Sequence, residues 1–485
     1  MANLKDILFG VKLKAISGDR DREISGLTFD SRKVRPGDLF VAIKGLNSDG
    51  HDHLEEAVAQ GAVALLIEKS KVKFSDNITV IETDNCAKEL GIIADNFYDH
   101  PSKKLKLIGI TGTNGKTTCV ETFSALSNLL DERCAFISTI NSSNDGEDLV
   151  KSQLTTPDAI TIQRIMNSAL RNNAKYMAME ASSHGLDQNR LNGTDIDFAI
   201  LTSFSHDHLD YHGSLESYKS TKEKLFLDLN PKKNIICIDS SFGLDLYNKA
   251  IKKNPNTYSV SIEKPADFQA SFEYLSSGLK VNLKALDEEF SFELETISRY
   301  LASNIICAIA VLVIQGVDLD LISSLSKKIE LPLGRLQKIK KDNITVYIDY
   351  AHTPEALENT LLELRRFHSN PVWCLFGCGG DRDKEKRPLM GRAAEKFSEK
   401  VILTSDNPRT EDKDQIINDI LDGISKKDQI IIESDRERAI EMAIEALRNE
   451  KKDGVLLIAG KGHETYQEIN GSFHEFNDAE IVKFS

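Results

Sequence analysis

A chain of 485 residues exceeds what one hydrophobic core can organise, so two or three domains are expected. Hydrophobic residues at 40% and charged residues at 28% match an ordinary globular protein and exclude long disordered stretches. The net charge of -14 excludes a non-specific binder of nucleic acid or anionic lipid, since both need a cationic surface, and any anionic ligand must meet local basic pockets.

The first ten residues lack a basic segment followed by an apolar run and cleavage site, and no window approaches the ~20 apolar residues of a membrane span. A cytoplasmic location is expected. The seven cysteines are scattered without paired zinc-type spacing, which reads as reduced thiols.

In chain order, residues 24–69 show short apolar runs broken by turns, such as 38–43 and 62–67, which predict a small α/β unit ending near 103. Residues 105–110 form an apolar run, followed by a glycine-bearing turn and a helical stretch over 116–130. Further buried strands are predicted at 176–179, 198–202 and 235–238, giving a doubly wound second domain. After Gly334 the alternation restarts: strands at 345–348, 372–376, 401–404, 429–432 and 455–459, with helices at 354–367, 386–397 and 436–447. The fold class is therefore α/β, with a small α/β domain (1–103), a central P-loop doubly wound sheet (104–332) and a C-terminal Rossmann-like domain (333–485). Ligands of open α/β sheets bind beyond the carboxyl ends of strands, where nearly every polar motif of this chain lies.

The first such motif is Gly112, Thr113, Asn114, Gly115, Lys116, Thr117 and Thr118, between strand and helix, where backbone N–H groups can cradle phosphates. Lys116 would reach the outer phosphates and Thr117 offers a hydroxyl to Mg²⁺. A strict Walker pattern needs glycine where Ile110 stands, so a bare pattern search misses the loop.

Glu180 ends the next strand and could hold Mg²⁺ opposite that loop, or simply face solvent. The run His206, Asp207, His208, Leu209, Asp210, Tyr211, His212 lacks a partner pattern completing a tetrahedral zinc site, so a Mg²⁺ or phosphate contact from His208 is the better functional reading, beside solvated loop histidines. A helix over 216–226 carries Lys219, Lys222 and Lys224, which chemistry alone reads as solvated lysines.

These motifs occur in order with others: Asp30 to Arg32, Gly37 to Gly45, Thr155 to Pro157, Glu180 to Leu186, Asp207 to Gly213, Gly334, Asp349 to Pro354, Gly377 to Gly391, Asp406 to Asp412 and Gly460 to Glu464. The set resembles the Mur ligases, specifically the diaminopimelate-adding type of bacterial peptidoglycan synthesis. The loop itself also resembles that of the related folylpolyglutamate synthetases.

The resemblance implies an ATP-dependent ligase that joins meso-2,6-diaminopimelate to UDP-N-acetylmuramoyl-L-alanyl-D-glutamate through an acyl phosphate, with ATP as substrate and Mg²⁺ as cofactor. It implies UDP-substrate contacts from Phe29, Ser31, Leu46, Asn47 and Ser48, completed by Thr155, Thr156, Ser182, Gln188 and Arg190. It aligns Lys222 with a lysine that the family carbamylates with CO₂ to help position a second Mg²⁺, so Lys116, Glu180, His208 and Lys222 become catalytic candidates and Thr117, Glu180, His208 and Lys222 metal candidates. Asn304, Arg335 and Asp349 match positions contacting adenine, phosphate and ribose.

Asp406, Asn407, Pro408 and Arg409 resemble the signature that selects diaminopimelate over lysine, and a guanidinium suits the extra carboxylate through two parallel charge-assisted hydrogen bonds. Arg382, Gly460 and Glu464 would complete that pocket. The family usually has Thr-Asn where this chain has Thr202-Ser203, so local hydrogen bonding there is expected to differ. The expected partners are these small molecules alone, acting on a monomer whose third domain closes onto the second. The competing readings are a lysine-adding or folate-type ligase, which Arg409 and the UDP-side motifs disfavour, and a P-loop protein using ATP only as a switch, which needs no third-domain pocket.

Overall fold

The computed structural model describes residues 1–485 apart from 46–47, 70–73, 140–141, 145–146, 149–153, 428–429 and 451–452. Leu46 and Asn47, expected at the UDP site, lie outside the described residues.

Three sheets follow one another along the chain. The first has the strand order Leu13–Ser17, Thr79–Thr83, Ala64–Ile67, Asp38–Val41, Gly26–Thr28 and is parallel except at the Leu13–Ser17 edge. Strands Asp38–Val41 and Ala64–Ile67 are buried along their whole length, as strands covered on both faces must be.

The central sheet is built around parallel strands in the order Cys134–Ile137, Tyr176–Glu180, Lys106–Thr111, Phe198–Leu201, Lys233–Cys237, Thr257–Ser261. Beyond them Phe268–Tyr274, Leu279–Ala285 and Glu288–Leu294 extend the sheet as a meander that sequence reading had not anticipated. Their alternation, buried-exposed along Leu279–Ala285, is that of strands with one wet face, and the buried face packs with the apolar helix Arg299–Ile314 in one core.

The third sheet runs Gln337–Lys341, Ile344–Asp349, Gly454–Ala459, Val372–Phe376, Lys400–Leu403, Ile430–Ile432, parallel except for the first strand. Its predicted strands and helices are all present. The helices Pro354–Phe367 and Lys386–Phe397 begin and end where the sequence places them, the former with Pro at its first turn and Thr353 accepting from the Ala356 N–H.

The three bodies touch. Ala159 and Ile160 of the central part join the core of the first sheet, and the Asn192 side chain donates to the Lys88 carbonyl at 3.2 Å. Ile297 and Leu301 pack into the core of the third sheet, where Glu363, fully buried, accepts from Arg299 at 3.0 Å and from the Tyr274 hydroxyl at 2.7 Å.

Candidate active site

Register explains why the nucleotide loop, Glu180 and the histidine run meet. Lys106–Thr111 lies between Tyr176–Glu180 and Phe198–Leu201, with Glu180 opposite Ile110 and Leu201 opposite Thr111. The carboxyl ends of three neighbouring strands thus deliver the loop, the carboxylate and residues 202–208 to one place, the crevice where doubly wound sheets bind ligands.

The loop is stapled from its 202–205 side. Thr202 Oγ1 donates to the Asn114 carbonyl at 2.6 Å, Ser203 Oγ exchanges 3.0 Å hydrogen bonds with the Asn114 N–H and carbonyl, and Thr113 N–H donates to the Ser203 carbonyl at 3.0 Å. The serine at 203 therefore braces the loop through the loop's own backbone. Gly115, at φ 85°, occupies the left-handed region, and a Cβ there would lie 2.2 Å from Asn304 Oδ1, so the turn and the close approach both require glycine.

Glu180 is fully buried, which removes the reading of a solvent-facing strand end. Its carboxylate accepts from Thr117 Oγ1 at 2.8 Å, from the Thr139 N–H at 2.8 Å and from the Thr139 hydroxyl at 3.1 Å. Among the described residues these are neutral donors, so a buried carboxylate is left with its charge uncompensated by an ion pair. A hard dication bound through the Thr117 hydroxyl and Glu180 fits that donor set, since Mg²⁺ takes oxygen ligands and needs few of them from protein.

Lys116 donates to the Gly112 and Thr113 carbonyls at 2.9 and 3.0 Å. Lys222, 1% exposed on the helix Leu215–Leu227, donates to the same Gly112 carbonyl at 2.9 Å and lies 4.7 Å from the centre of the Tyr218 ring. Burial, and then the neighbouring Lys116 charge, push Lys222 well below the usual lysine range against the pull of Asp207. This is not the environment of a solvated surface lysine.

His208 caps a short helix in left-handed conformation at φ 55°, its ring 5.2 Å from that of His184. Although part of its rim meets solvent, desolvation pushes it down to about 3 despite Asp207, leaving a neutral imidazole that can offer a lone pair.

Asn114, Gly115, Thr118, Asn304, Arg335 and Asp349 line one cavity of about 230 Å³ between the second and third sheets. Arg335 stacks 4.6 Å from the centre of the Tyr350 ring, and its Nη2 donates to Thr117 Oγ1 at 3.3 Å, bringing a third-sheet residue to the phosphate end. Asp349, pushed up by burial, accepts from the Leu336 N–H at 3.0 Å and the Thr360 hydroxyl at 2.9 Å.

On the side of the first sheet, Ser31 is buried in a short 3-10 turn capped by Asp30, while Phe29 is 40% exposed. Thr156 Oγ1 donates to the Glu180 carbonyl at 2.8 Å and accepts from the Ser182 N–H at 2.9 Å, which ties the expected substrate residues directly to the strand that ends in Glu180. Arg190 donates to the Thr156 carbonyl and to Gln188 Oε1, and Thr155 accepts from Thr139 at 3.2 Å. Ser48 lies 3.4 Å from His53 Nε2, and no contact in the described structure joins it to that group.

The third sheet assembles its own cluster from four neighbouring strand ends, those after Asp349, Ala459, Phe376 and Leu403. Asn407 donates to Glu464 at 2.8 Å and accepts from Lys461 Nζ at 3.1 Å. Burial, then Asp406, raises Glu464 above the usual carboxylate range, with Lys461 opposing. Arg409 donates to the Gly380 carbonyl at 2.8 Å and to Glu468 at 3.0 Å. A Cβ on Gly379 would lie 2.9 Å from Arg409 Nη1 and 3.8 Å from Arg382 Cγ, so the glycine leaves room for the Arg409 guanidinium beside the Arg382 stem. Gly460 backs onto the Asp406 carboxylate, and the Pro408 carbonyl closes on Gly380.

Several residues here escaped sequence reading. Lys461, fully buried and bonded to both Asn407 and Glu464, sits inside a quoted motif and could have been found by asking what neutralises Glu464. Arg387 pairs bidentately with Glu411, whose Oε1 also accepts from the Asp381 N–H, joining the loops that carry Arg382 and Arg409. The contacts His352 with Asp207 at 3.8 Å and His206 with Asp383 at 3.2 Å cross between the second and third bodies, and no local pattern marks them.

Three family models match the chain in order: Mur ligase family, catalytic domain over 23–98; Mur ligase middle domain over 110–312; and Mur ligase, glutamate ligase domain over 334–462. The chain belongs to the Mur ligase family. This Mur ligase is 41% identical over 95% of its length to the UDP-N-acetylmuramoyl-L-alanyl-D-glutamate--2,6-diaminopimelate ligase of Aquifex aeolicus (strain VF5), covering 93% of that relative. It is 39% identical to the protein of the same name from Clostridioides difficile (strain 630), over 99% of this chain and 98% of the relative. A solved structure of a ligase with that name superposes with a TM-score of 0.71 at 33% identity, covering 100% of this chain and 98% of the other. A folylpolyglutamate synthase from Mycobacterium tuberculosis shares the fold at a TM-score of 0.62, with 18% identity, over 76% of this chain and 91% of the other.

Proposed function

We propose that this Mur ligase uses ATP to join meso-2,6-diaminopimelate to the D-glutamyl carboxylate of UDP-N-acetylmuramoyl-L-alanyl-D-glutamate, forming the tripeptide precursor of peptidoglycan. The observation that carries the choice of amino acid is that Gly379 has the Arg409 guanidinium and the Arg382 stem beside it, with Asn407 bonded to Glu464 at the neighbouring strand end. Two cationic side chains suit a substrate with two carboxylates, and Glu464 supplies an acceptor for an ammonium. The near full-length relatives of that name support the same reading.

The chemistry follows from what each partner lacks. A carboxylate is a poor electrophile, so its oxygen attacks the ATP γ-phosphorus, giving an acyl phosphate and ADP. The amine then attacks the acyl carbon and the tetrahedral intermediate expels phosphate. Such a sequence asks for positioning and charge neutralisation and needs no nucleophilic side chain.

The loop N–H groups within 112–118 other than those of Thr113 and Asn114, which the 202–205 side engages, and the Lys116 ammonium receive the phosphates, and Asn304 and Asp349 line the nucleotide cavity. Arg335, over the Tyr350 ring and bonded to the Thr117 hydroxyl, would neutralise charge on the transferred group. Thr117, Glu180, His208 and a carbamylated Lys222 would hold Mg²⁺, which supplies charge neutralisation at the phosphate oxygens when bound. Carbamylation requires a neutral amine, the form that burial favours at Lys222.

We assign residues 1–103 to the UDP end of the substrate, with Phe29, Ser31, Leu46, Asn47 and Ser48. Residues 104–332 take ATP and the remaining substrate contacts at Thr155, Thr156, Ser182, Gln188 and Arg190, and 333–485 take the amino acid. One chain carries all three sites, so a monomer suffices. Among the described residues no helix is long and apolar enough to cross a membrane, and work in the cytoplasm, where ATP is available, goes with this reading. Closing the third body onto the second keeps water from the acyl phosphate.

ADP release with UDP-N-acetylmuramoyl-L-alanyl-D-glutamate, Mg²⁺ and ATP tests the proposal, comparing meso-diaminopimelate with L-lysine. Turnover that depends on diaminopimelate is expected. A preference for lysine overturns the pocket, and ADP release that neither amino acid stimulates overturns the ligase.

A further inference from the structure

We propose that Glu468 is a specificity-determining positioning residue: it holds the Arg409 guanidinium in the orientation that receives the second carboxylate of the amino acid. The inference rests on the amino-acid pocket described under the proposed function.

Glu468 lies on the strand Tyr466–Ile469, which pairs with Ser472–Glu475 in a hairpin beyond the last motif of the sequence. It grips both selective residues at once. Its N–H donates to Asn407 Oδ1 at 2.9 Å, its carbonyl accepts from the Arg409 N–H at 3.0 Å, and its carboxylate accepts from Arg409 Nε at 3.0 Å.

Arg409 needs such a grip. Its backbone sits at φ 52°, in the left-handed region that a residue with a side chain keeps only where its surroundings hold it. Its carbonyl accepts from the Asn470 N–H at 2.7 Å, so the hairpin clasps the residue from both sides. On the side chain, Nε is fixed by Glu468 and Nη1 by the Gly380 carbonyl at 2.8 Å, which leaves Nη2 without a hydrogen-bond partner among the described residues. The pair is about one-fifth exposed at 19% and 23%, so it forms a wall that a ligand can reach.

Arginine is long and flexible, and two parallel hydrogen bonds to a carboxylate demand one orientation of its plane. A partner that fixes the plane before the ligand arrives removes that ordering cost from binding. Glu468 has this geometry, and its own charge keeps the guanidinium paired while the pocket is empty.

The test is steady-state kinetics on the full chain with diaminopimelate varied, for Glu468→Ala, Glu468→Gln, Arg409→Ala and the double variant Arg409→Ala/Glu468→Ala. Glu468→Ala should raise the KM for diaminopimelate about 10–100-fold, the scale of one hydrogen bond to a charged group, while the KM values for ATP and the UDP-dipeptide stay within about twofold. Glu468→Gln keeps an acceptor in place and should recover most of the loss. In the Arg409→Ala background, removing Glu468 should change nothing further, because the group it positions is gone. An unchanged or lowered KM in Glu468→Ala, or an equal rise with and without Arg409, overturns the proposal. If Arg409→Ala itself leaves the diaminopimelate KM unaltered, the pocket reading falls as well, which separates the two failures.

Discussion

Lys116 and Lys222 donate to one acceptor, the carbonyl oxygen of Gly112, each at 2.9 Å. Two ammonium groups converging on one oxygen in a buried site repel each other, and the structure divides the charge between them unequally. Burial pushes both lysines down, but Lys116 has Glu180 and Asp207 to support its charge against Arg335, while Lys222 feels the Lys116 charge, has Asp207 alone and is pushed much further. Of the two, Lys222 is the amine that its surroundings favour more as the neutral form, the form that the proposed addition of CO₂ requires. With ¹³C-labelled bicarbonate, the wild-type chain should show a carbamate carbon resonance that Lys222→Ala lacks, and the variant should lose about 10²–10³-fold in ligation, the size of losing one charged group at a reacting centre. A full-rate Lys222→Ala would remove this residue from the site.

Glu180→Gln separates folding from metal binding. The amide oxygen can keep the bonds from Thr117 Oγ1 and the Thr139 N–H, and the Thr139 hydroxyl can turn to accept from the amide nitrogen. Relieved of a buried charge, the variant should melt no lower than wild type without ligands. It should also lose the rise in melting temperature that Mg²⁺ with ADP gives the wild type. A variant that melts far lower in the absence of ligand would show that the carboxylate is structural.

What the sequence displayed and what it hid divide along a physical line. Buried parallel strands and the helices between them are local patterns, so Val372–Phe376 and Pro354–Phe367 could be read residue for residue. Glu180 and Thr117 could be paired because Glu180 ends one strand and Thr117 opens the helix after another. The meander Phe268–Leu294 alternates polar and apolar residues, which is a legible strand signal, but it carries no motif and no fully buried run of the kind the other strands show. Glu468 and the His352–Asp207 contact depend on segments 59 and 145 positions apart from their partners, counting from Arg409 and Asp207, which only the closed chain brings together.

Glu121, one turn beyond Thr117 on the helix Lys116–Leu129, gives a pH test. Burial raises its carboxyl to about 7, with Glu180 acting the same way and Ser138 and Arg335 opposing. Between the unfolded value of 4.5 and about 7 the folded state binds more protons than the unfolded one, so this group's contribution to stability is intact below the window and lost as pH rises through it. Glu121→Gln should therefore match wild type in denaturant titrations near the acid end and exceed it by about 1–3 kcal/mol above the window. An identical gap at both ends would place the charge in a solvated setting instead.

Gly115→Ala combines two penalties that a second substitution can separate. At φ 85° an alanine pays the left-handed cost of about 1–2 kcal/mol wherever it stands. Its Cβ would also lie 2.2 Å from Asn304 Oδ1 and 2.4 Å from Cγ, so the Asn304 side chain, on the buried face of Arg299–Ile314, would have to shift into the cavity it lines. Asn304 lines the nucleotide cavity, so the clash should cost ADP affinity along with about 2–4 kcal/mol of stability. Asn304→Ala in the same chain removes the obstacle and leaves the backbone strain. The double variant should thus recover the steric share of the stability while nucleotide affinity stays low, because the cavity has lost the Asn304 amide. No recovery of stability would mean that the cost of the alanine is its φ alone.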